Sequence, residues 1–417
     1  MKVLIITYYW PPSGGGGVQR WLKFATYLKK LGCQPVIYTP SNPDVPVLDH
    51  SLSNDVPEGI EMLSTPIFEP SRVVKRISFG SASDRLGASA GQKKQGLLSR
   101  LSLWVRGNFF IPDARVRWVK PSVNFLDKWL SENNVDAVIT TGPPHSMHLI
   151  GLGLKNRFPK IPWIADFRDP WSDMDYLDEF KMGKRARVKM EKLESQVVSK
   201  ADRIIVTSRS AGKKLVEGKN KICLFIPNGW DAADYPKSIP KSSNTILTFG
   251  HFGALHGSRN APGLWAAFAE LKSKGGKFQI RFAGSVSLEV RHDLSEMGLT
   301  SNCQFIGNLG HKEAVESMFG CDALLLIHND TDSATRSTPG KLFEYIAVSK
   351  PIISICRRSS DLAMMLDGFG LPHHQHNDKK GALDMIQNID RQETVDPAPY
   401  TRMKQAEKLL EVIKSTQ

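Results

Sequence analysis

Ser337-Thr-Pro-Gly-Lys-Leu-Phe-Glu-Tyr-Ile-Ala-Val-Ser-Lys-Pro-Ile-Ile353 is the stretch on which the fold turns. Its first residues are polar and turn-forming, and Pro339 is expected just inside a helix start. Leu342, Phe343, Ile346 and Ala347 then recur at helical spacing. Pro351 is expected to end the helix, and Ile352, Ile353 and Ile355 to begin a buried strand. Lys341 and Glu344 share a helix face at i, i+3. A helix N-terminus carries unpaired N–H groups and the positive end of the dipole, so it can hold a phosphate. Lys341 adds a mobile cation there, and Glu344, one turn further on, can accept hydrogen bonds from sugar hydroxyls. The stretch is a candidate seat for a nucleotide diphosphate. The alternative is an ordinary αβ unit with a surface Lys–Glu pair.

A second unit of the same kind stands at the other end of the chain. Residues 2–7 read as a buried strand, 8–17 as a glycine-rich turn, 18–31 as a helix and 34–39 as the next strand. This is a β–loop–α–β unit of the Rossmann type. Gly15 and Gly16 let the backbone approach an anion, unless the glycines serve only tight packing. A nicotinamide enzyme is disfavoured. Gln19 breaks the Gly-x-Gly-x-x-Gly pattern, and the second strand ends Tyr38-Thr-Pro40 without the acid that a ribose needs.

Residues 41–120 read as an irregular basic insertion. Between Arg72 and Lys120 there are eleven Lys and Arg against Asp84 and Asp113, within a net charge of +13. Leu97, Leu98, Leu101, Trp104 and Val105 form a helical stripe flanked by Arg100 and Arg106. Such a helix suits an anionic membrane surface, or packs on its own domain. Strands at 136–140 and 162–166 end in Thr141-Gly-Pro-Pro-His145 and Asp166-Phe-Arg-Asp-Pro-Trp171. Open α/β sheets bind ligands at such strand ends. His145 is a candidate to orient a hydroxyl or donate to a phosphate, or else it only sits in the loop. Asp166 and Arg168 are candidates to brace the loop as an ion pair, with Asp169 reaching an acceptor hydroxyl. The Pro/Lys/Ser stretch 236–244 is the linker candidate. A new α/β series follows, with a strand at 245–250, a loop to Arg259 and strands at 278–283 and 303–306. His373-His-Gln-His376 reads as a loop, since its spacing fits no helix face. Residues 397–417 read as a final helix.

A chain of 417 residues suits two domains. Its composition reads as globular and soluble, and no apolar run of about 18 residues predicts a membrane span. The N-terminus reads as a first strand, not a signal peptide. Five scattered cysteines give no metal or disulfide pattern and suit a reducing, cytoplasmic setting. The basic excess implies an anionic partner, but no nucleic-acid recognition motif is present, and no nucleic acid is expected.

The stretch 337–353 resembles the donor segment of retaining GT-B glycosyltransferases, glycosyltransferase family four. Pro227-Asn-Gly-Trp-Asp231 is similar to that family's tag closing the first domain. The resemblance implies two Rossmann-like domains facing across a cleft. These are an acceptor-side domain at 1–235, a nucleotide-sugar domain at 236–396, and a last helix at 397–417 that returns to the first. It implies that Glu344 binds the donor ribose and that Arg259 and Lys341 bind the diphosphate. Ser337, Thr338, Gly284, Asn308 and Leu309 line the donor, and the glycine loop with Gly15 and Gly16 approaches it. The family's first motif glutamate is replaced by Arg336, and its second basic residue by Gly253. Asp169, Arg168 and His145 would face the acceptor. The implied partners are a UDP- or GDP-sugar and a glycan or lipid-linked acceptor, with no cofactor and no metal. The enzyme would sit in the cytoplasm or peripherally on the membrane's inner face. Rival readings are an epimerase or phosphorylase of the same fold, or a basic nucleic-acid-binding protein.

Overall fold

A computed structural model describes residues 1–45, 48–69, 97–174, 177, 180–236 and 246–416. Contacts divide the chain into two units. The first runs to Asn228 and takes back Arg402–Gln417; the second is Gly229–Thr401. In the first unit, the strands are β1 (Lys2–Ile6), β2 (Gln34–Pro40), β3 (Glu61–Thr65), β4 (Ala137–Gly142), β5 (Trp163–Phe167), β6 (Arg203–Val206) and β7 (Cys223–Phe225). They form one parallel sheet in the order β3-β2-β1-β4-β5-β6-β7. Helices α1 (Gly16–Lys30), α2 (Leu97–Phe109), α3 (Val119–Glu132), α4 (Ser146–Arg157), α5 (Lys184–Lys200) and α6 (Arg209–Val216) connect or cover it.

The central strands read as unbroken apolar runs because both sheet faces are covered. Successive side chains point to opposite faces, so Val3 and Ile5 join one core while Leu4 and Ile6 join another. The first of these cores also holds Trp21, Leu22 and Leu28 of α1. Ala406, Leu409 and Ile413 fill it from the far end of the sequence.

One ion pair fixes α1 to the sheet. Arg20 and Asp166 are both fully buried, with a shortest N–O distance of 3.0 Å. Arg20 also donates to the carbonyls of Ile226 and Pro227, each at 3.0 Å, and to Asn228 Oδ1 at 3.3 Å. Asp166 accepts from Trp21 Nε1 at 2.8 Å and from Thr141 Oγ1 at 2.9 Å. Asp166 therefore does not pair with Arg168, as the loop sequence suggested. A guanidinium near the N-terminal end of a helix opposes the dipole, and a buried carboxylate in reach offsets the cost of that placement.

The insertion is less irregular than its composition suggests. Residues His50–Asp55 form a 3-10 turn, and Glu61–Thr65 pairs with β2 at the sheet edge. Trp118 secures that edge by stacking on Tyr38 at 5.0 Å and donating to Thr65 Oγ1 at 2.9 Å. Residues 70–96, which carry much of the basic segment, lie outside the described residues.

The second unit has strands β8 (Leu247–Phe252), β9 (Phe278–Ala283), β10 (Cys303–Gly307), β11 (Ala323–Ile327), β12 (Ile352–Ile355) and β13 (His373–His374). They form a parallel sheet in the order β10-β9-β8-β11-β12-β13. Its helices are α7 (Pro262–Ser273), α8 (Leu288–Glu296), α9 (His311–Phe319), α10 (Lys341–Val348), α11 (Asp361–Gly368) and α12 (Lys379–Gln387), and α13 (Arg402–Lys414) belongs to the first unit. The division falls after Asn228 and Thr401, not at 235 and 396. Trp230 explains the shift: its N–H donates to Tyr400 O at 3.1 Å and its Nε1 to Pro397 O at 2.8 Å, which keeps both segments in the second unit. The expected linker 236–244 lies, apart from Pro236, outside the described residues. His373 and His374 form a short edge strand, not a loop. Their rings pair with Asp367 and Asp378, and His376 Nε2 bonds to His328 O. Among the described residues no helix is long and apolar enough to cross a membrane.

Arg20→Ala leaves Asp166 as an uncompensated buried charge. The first unit is expected to lose about 3–5 kcal/mol, read as an earlier urea transition by circular dichroism. A loss below about 1 kcal/mol would show that the pair is dispensable.

Candidate functional site

In each sheet the strand order reverses once, between β1 and β4 in the first unit and between β8 and β11 in the second. The C-terminal ends of strands flanking such a reversal diverge and leave a crevice. The candidate residues lie in the loops after strands at or next to these reversals, except Asn308 and Leu309, which follow the edge strand β10.

In the second unit, three glycines with positive φ stand at the ends of three adjacent strands. These are Gly253 (φ 110), Gly284 (φ 130) and Gly307 (φ 85). Gly253 N–H donates to Ala283 O and Gly284 N–H to Gly307 O, each at 2.6 Å. The chain turns so tightly that a Cβ on Gly284 would collide with the Gly253 carbonyl. A Cβ on Gly253 would collide with the Lys341 ammonium, which lies in the space the absent side chain leaves.

Lys341 is half-buried and makes no hydrogen bond or ion pair among the described residues. Burial and the nearby Arg259 pull its pKa down to about 8, against the opposing pull of Glu344. Arg259 is also half-buried, and burial lowers its pKa. It is held by neutral acceptors, Asn329 Oδ1 at Nε and Ala254 O at Nη1, the latter at 3.0 Å. Among the described residues neither cation has a bonded carboxylate. Ser337 Oγ lies 3.1 Å from His328 Nε2, and Thr338 Oγ1 is buried without a hydrogen bond. His328 is kept neutral: burial, with Arg259 and His376 near it, lowers its pKa to about 4.

The helix carrying Lys341 starts two residues later than expected. Gly340 is its N-cap, so Pro339 precedes the helix, and the helix ends at Val348 with Ser349 in the left-handed region (φ 56). Leu342 and Phe343 N–H close onto Pro339 and Gly340 carbonyls, leaving the Gly340 and Lys341 amides without a backbone acceptor among the described residues. Glu344 follows one turn on, half-buried, with no side-chain partner among the described residues. Asn308 is exposed and Leu309 half-buried beyond Gly307.

In the first unit, Gly15 (φ 99) caps α1, and Gly16 begins it. Arg168 lies over the next residue, where a Cβ on Gly17 would collide with its Nη1. Its N–H and Nε donate to Gly142 O at 3.1 and 3.2 Å, and Nη2 donates to Pro143 O. Asp169 is exposed at its surface, but protein crowds it enough that desolvation raises its pKa, partly offset by Arg168. His145 is buried and stacked on Trp171 at 5.1 Å. Burial, with His148 and Arg168 nearby, lowers its pKa well below the ordinary histidine value. It is a neutral ring in an aromatic cluster with His148 and Phe167.

The family model for Glycosyltransferase Family 4 matches residues 14–234. The chain belongs to Glycosyltransferase Family 4. It is a glycosyltransferase with the GT-B pairing of two Rossmann-like domains. No curated protein matches the sequence. Among solved structures, a glycosyltransferase from Rickettsia africae shares 13% identity at a TM-score of 0.57, covering 100% of this chain and 98% of its own. WaaG, a glycosyltransferase involved in lipopolysaccharide biosynthesis, shares 13% at 0.56, with 99% of each chain covered. A UDP-N-acetylglucosamine 2-epimerase from Listeria monocytogenes shares 13% at 0.57, covering 99% of this chain and 96% of its own. At such identity these likenesses show the fold alone.

Three residues near the family site escaped the sequence reading. Arg20 is a cation near the N-terminal end of an otherwise apolar helix face, which is itself a sign of a buried partner. Asn329 and His328 directly follow the buried strand β11, where polar residues face a ligand crevice or each other.

An anion drawn to Lys341 depends on the charge of its ammonium. Nucleotide affinity is expected to be flat below about pH 8 and to fall above it as Lys341 loses its proton. Lys341→Arg should extend the plateau, since a guanidinium stays charged. UDP and GDP titrations by calorimetry between pH 6.5 and 9.5 check this; an unchanged Kd across that range would contradict it.

Proposed function

We propose that the second unit holds a UDP- or GDP-sugar and that the enzyme transfers the sugar to a hydroxyl of a glycan or lipid-linked acceptor, with retention, in cell-envelope polysaccharide synthesis. The observation that carries this reading is Lys341 lodged at Gly253 beside Arg259, neither bonded to a carboxylate. Two close cations repel each other and resist desolvation unless an anion joins them. A diphosphate supplies that anion and fits the backbone's close approach at Gly253 and Gly284.

As the bond from the anomeric carbon to the diphosphate oxygen breaks, negative charge grows on the leaving group. Arg259 can donate from its fork to two phosphate oxygens. Lys341, the Gly340 and Lys341 amides and Thr338 Oγ1 add fixed positive potential and donors. These cations take the part that a metal plays in other transferases. Glu344 accepts from the ribose hydroxyls. On the first unit, Asp169, whose carboxylate has no bonded partner among the described residues, orients the acceptor hydroxyl. Arg168, pinned to Gly142 and Pro143, holds the loop and supplies positive charge beside it. His145 packs the loop from behind; its neutral, stacked ring fits positioning better than proton transfer.

Two classes of variant separate binding from chemistry. Lys341→Ala and Arg259→Ala should each weaken UDP or GDP binding by about 10–100-fold, read as loss of the thermal shift. Asp169→Asn should keep that shift and lower transfer by about 100-fold or more. Release of free nucleoside diphosphate only when acceptor is present distinguishes transfer from epimerisation. Release without acceptor, or an undiminished shift in Lys341→Ala, would contradict this reading.

A further inference from the structure

A lysine becomes a nucleophile when its amine sheds the proton near neutral pH. Burial or a neighbouring cation brings that about when no bonded carboxylate holds the charge. The placement of Lys341 meets these conditions. Its side chain runs from the first residue of α10 to Gly253, where the missing Cβ leaves the room that its Nζ takes. The next residue of that loop, Ala254, has its carbonyl occupied by Arg259 Nη1 at 3.0 Å. The two cations are thus brought to adjacent residues of one loop. That loop is held in place: Gly253 N–H donates to Ala283 O at 2.6 Å and Leu255 N–H to Ser285 O at 2.8 Å.

The other titratable groups that face Lys341 leave the amine available. His251, on β8, and His256, in the loop after it, are kept neutral by burial, with Lys341 and Arg259 adding to the effect. Glu344, on the same helix, opposes the fall of the Lys341 pKa to about 8, yet no ion pair joins the two among the described residues. A lysine of ordinary basicity holds on the order of 0.1% free amine at neutral pH. Lys341 holds a share many times larger.

We propose that Lys341 is an acylation site for small acyl phosphates, with Arg259 as the residue that receives the phosphate and sets the acyl carbon against the amine. Arg259 uses Nε and Nη1 on Asn329 and Ala254, and Nη2 makes no hydrogen bond among the described residues. An acyl phosphate carries the anion that such a fork binds, whereas a neutral acyl ester finds nothing there to guide it. The free amine of Lys341 attacks the acyl carbon and a C–N bond forms. The bond from that carbon to the phosphate oxygen breaks, and inorganic phosphate leaves with the electron pair and the amine's proton. Amine plus acyl phosphate gives amide plus hydrogen phosphate, and nothing else is consumed. The product is a neutral amide, so the loop loses one of its two cations. The modification goes beyond sugar transfer; its effect on nucleotide binding rests on the proposed diphosphate seat.

The test is incubation of the full chain with acetyl phosphate, without nucleotide, from neutral to alkaline pH, with acetylated lysines quantified by peptide mass spectrometry. Lys341 is expected to be acetylated about tenfold or more faster than the exposed Lys277 and Lys312. Its rate should level off above about pH 8. Inorganic pyrophosphate should slow it, and so should Arg259→Ala, whose fold is checked by circular dichroism. Acetylation of Lys341 no faster than that of Lys277 and Lys312 would overturn the proposal, as would a rate that neither pyrophosphate nor the folded Arg259→Ala chain changes. The acetylated protein is then titrated with UDP and GDP, and loss of the thermal shift is expected. A shift retained at full acetylation would contradict the diphosphate seat while leaving Lys341 as an acylation site.

Discussion

Positive charge is costly to take out of water, and each unit meets that cost differently. Arg20 is wholly buried, and every part of its guanidinium is answered by Asp166, by two peptide carbonyls at 3.0 Å and by Asn228. The ensemble is closed: it holds α1, the end of β5 and the exit from β7 together and asks for nothing more. Arg259 and Lys341 are the opposite case. Burial, with Arg259 near, depresses the Lys341 pKa, the two meet only neutral acceptors or none among the described residues, and Thr338 Oγ1, three residues before Lys341, is buried without a bond. A native core rarely leaves such groups unanswered. The first arrangement is closed by its own partners, and the proposed diphosphate would complete the second.

The backbone makes the second arrangement possible. Parallel strands that part on either side of a reversal in strand order leave room above their C-terminal ends. Glycines at β8, β9 and β10 turn the chain down and away there, in conformations that other residues resist. The space a side chain would occupy at Gly253 is given to the Lys341 ammonium. The first unit repeats the logic with a different outcome: Arg168 comes over Gly17 at the start of α1, fixed by the carbonyls of the loop after β4.

Much of the fold was legible because buried parallel strands are continuous apolar runs, as in Val3–Ile6 and Leu324–Ile327. Glycine loops follow β1, β8 and β9, and Lys341 and Glu344 are marked by helical spacing. What was not legible depends on contacts distant in sequence. Asp166 has Arg168 two residues away and Arg20 far off, and burial, not proximity along the chain, selects Arg20. The strand Glu61–Thr65 has no apolar run, since an edge strand is covered on fewer sides. The stripe on α2 has the right period, yet Gly107 rather than Trp104 is turned toward the protein, because a glycine lets Phe180 approach. The helix start at Lys341 was displaced from Pro339 because Gly340 takes the capping position.

Hydrogen exchange with and without UDP or GDP tests the central claim most directly, because it shows where in the chain the diphosphate is felt. Slowed exchange is expected in peptides spanning Gly253–Arg259 and Ser337–Glu344, where free amides and the two unanswered cations meet. Protection confined to other parts of the chain, with those peptides unchanged at saturating nucleotide, would contradict the account.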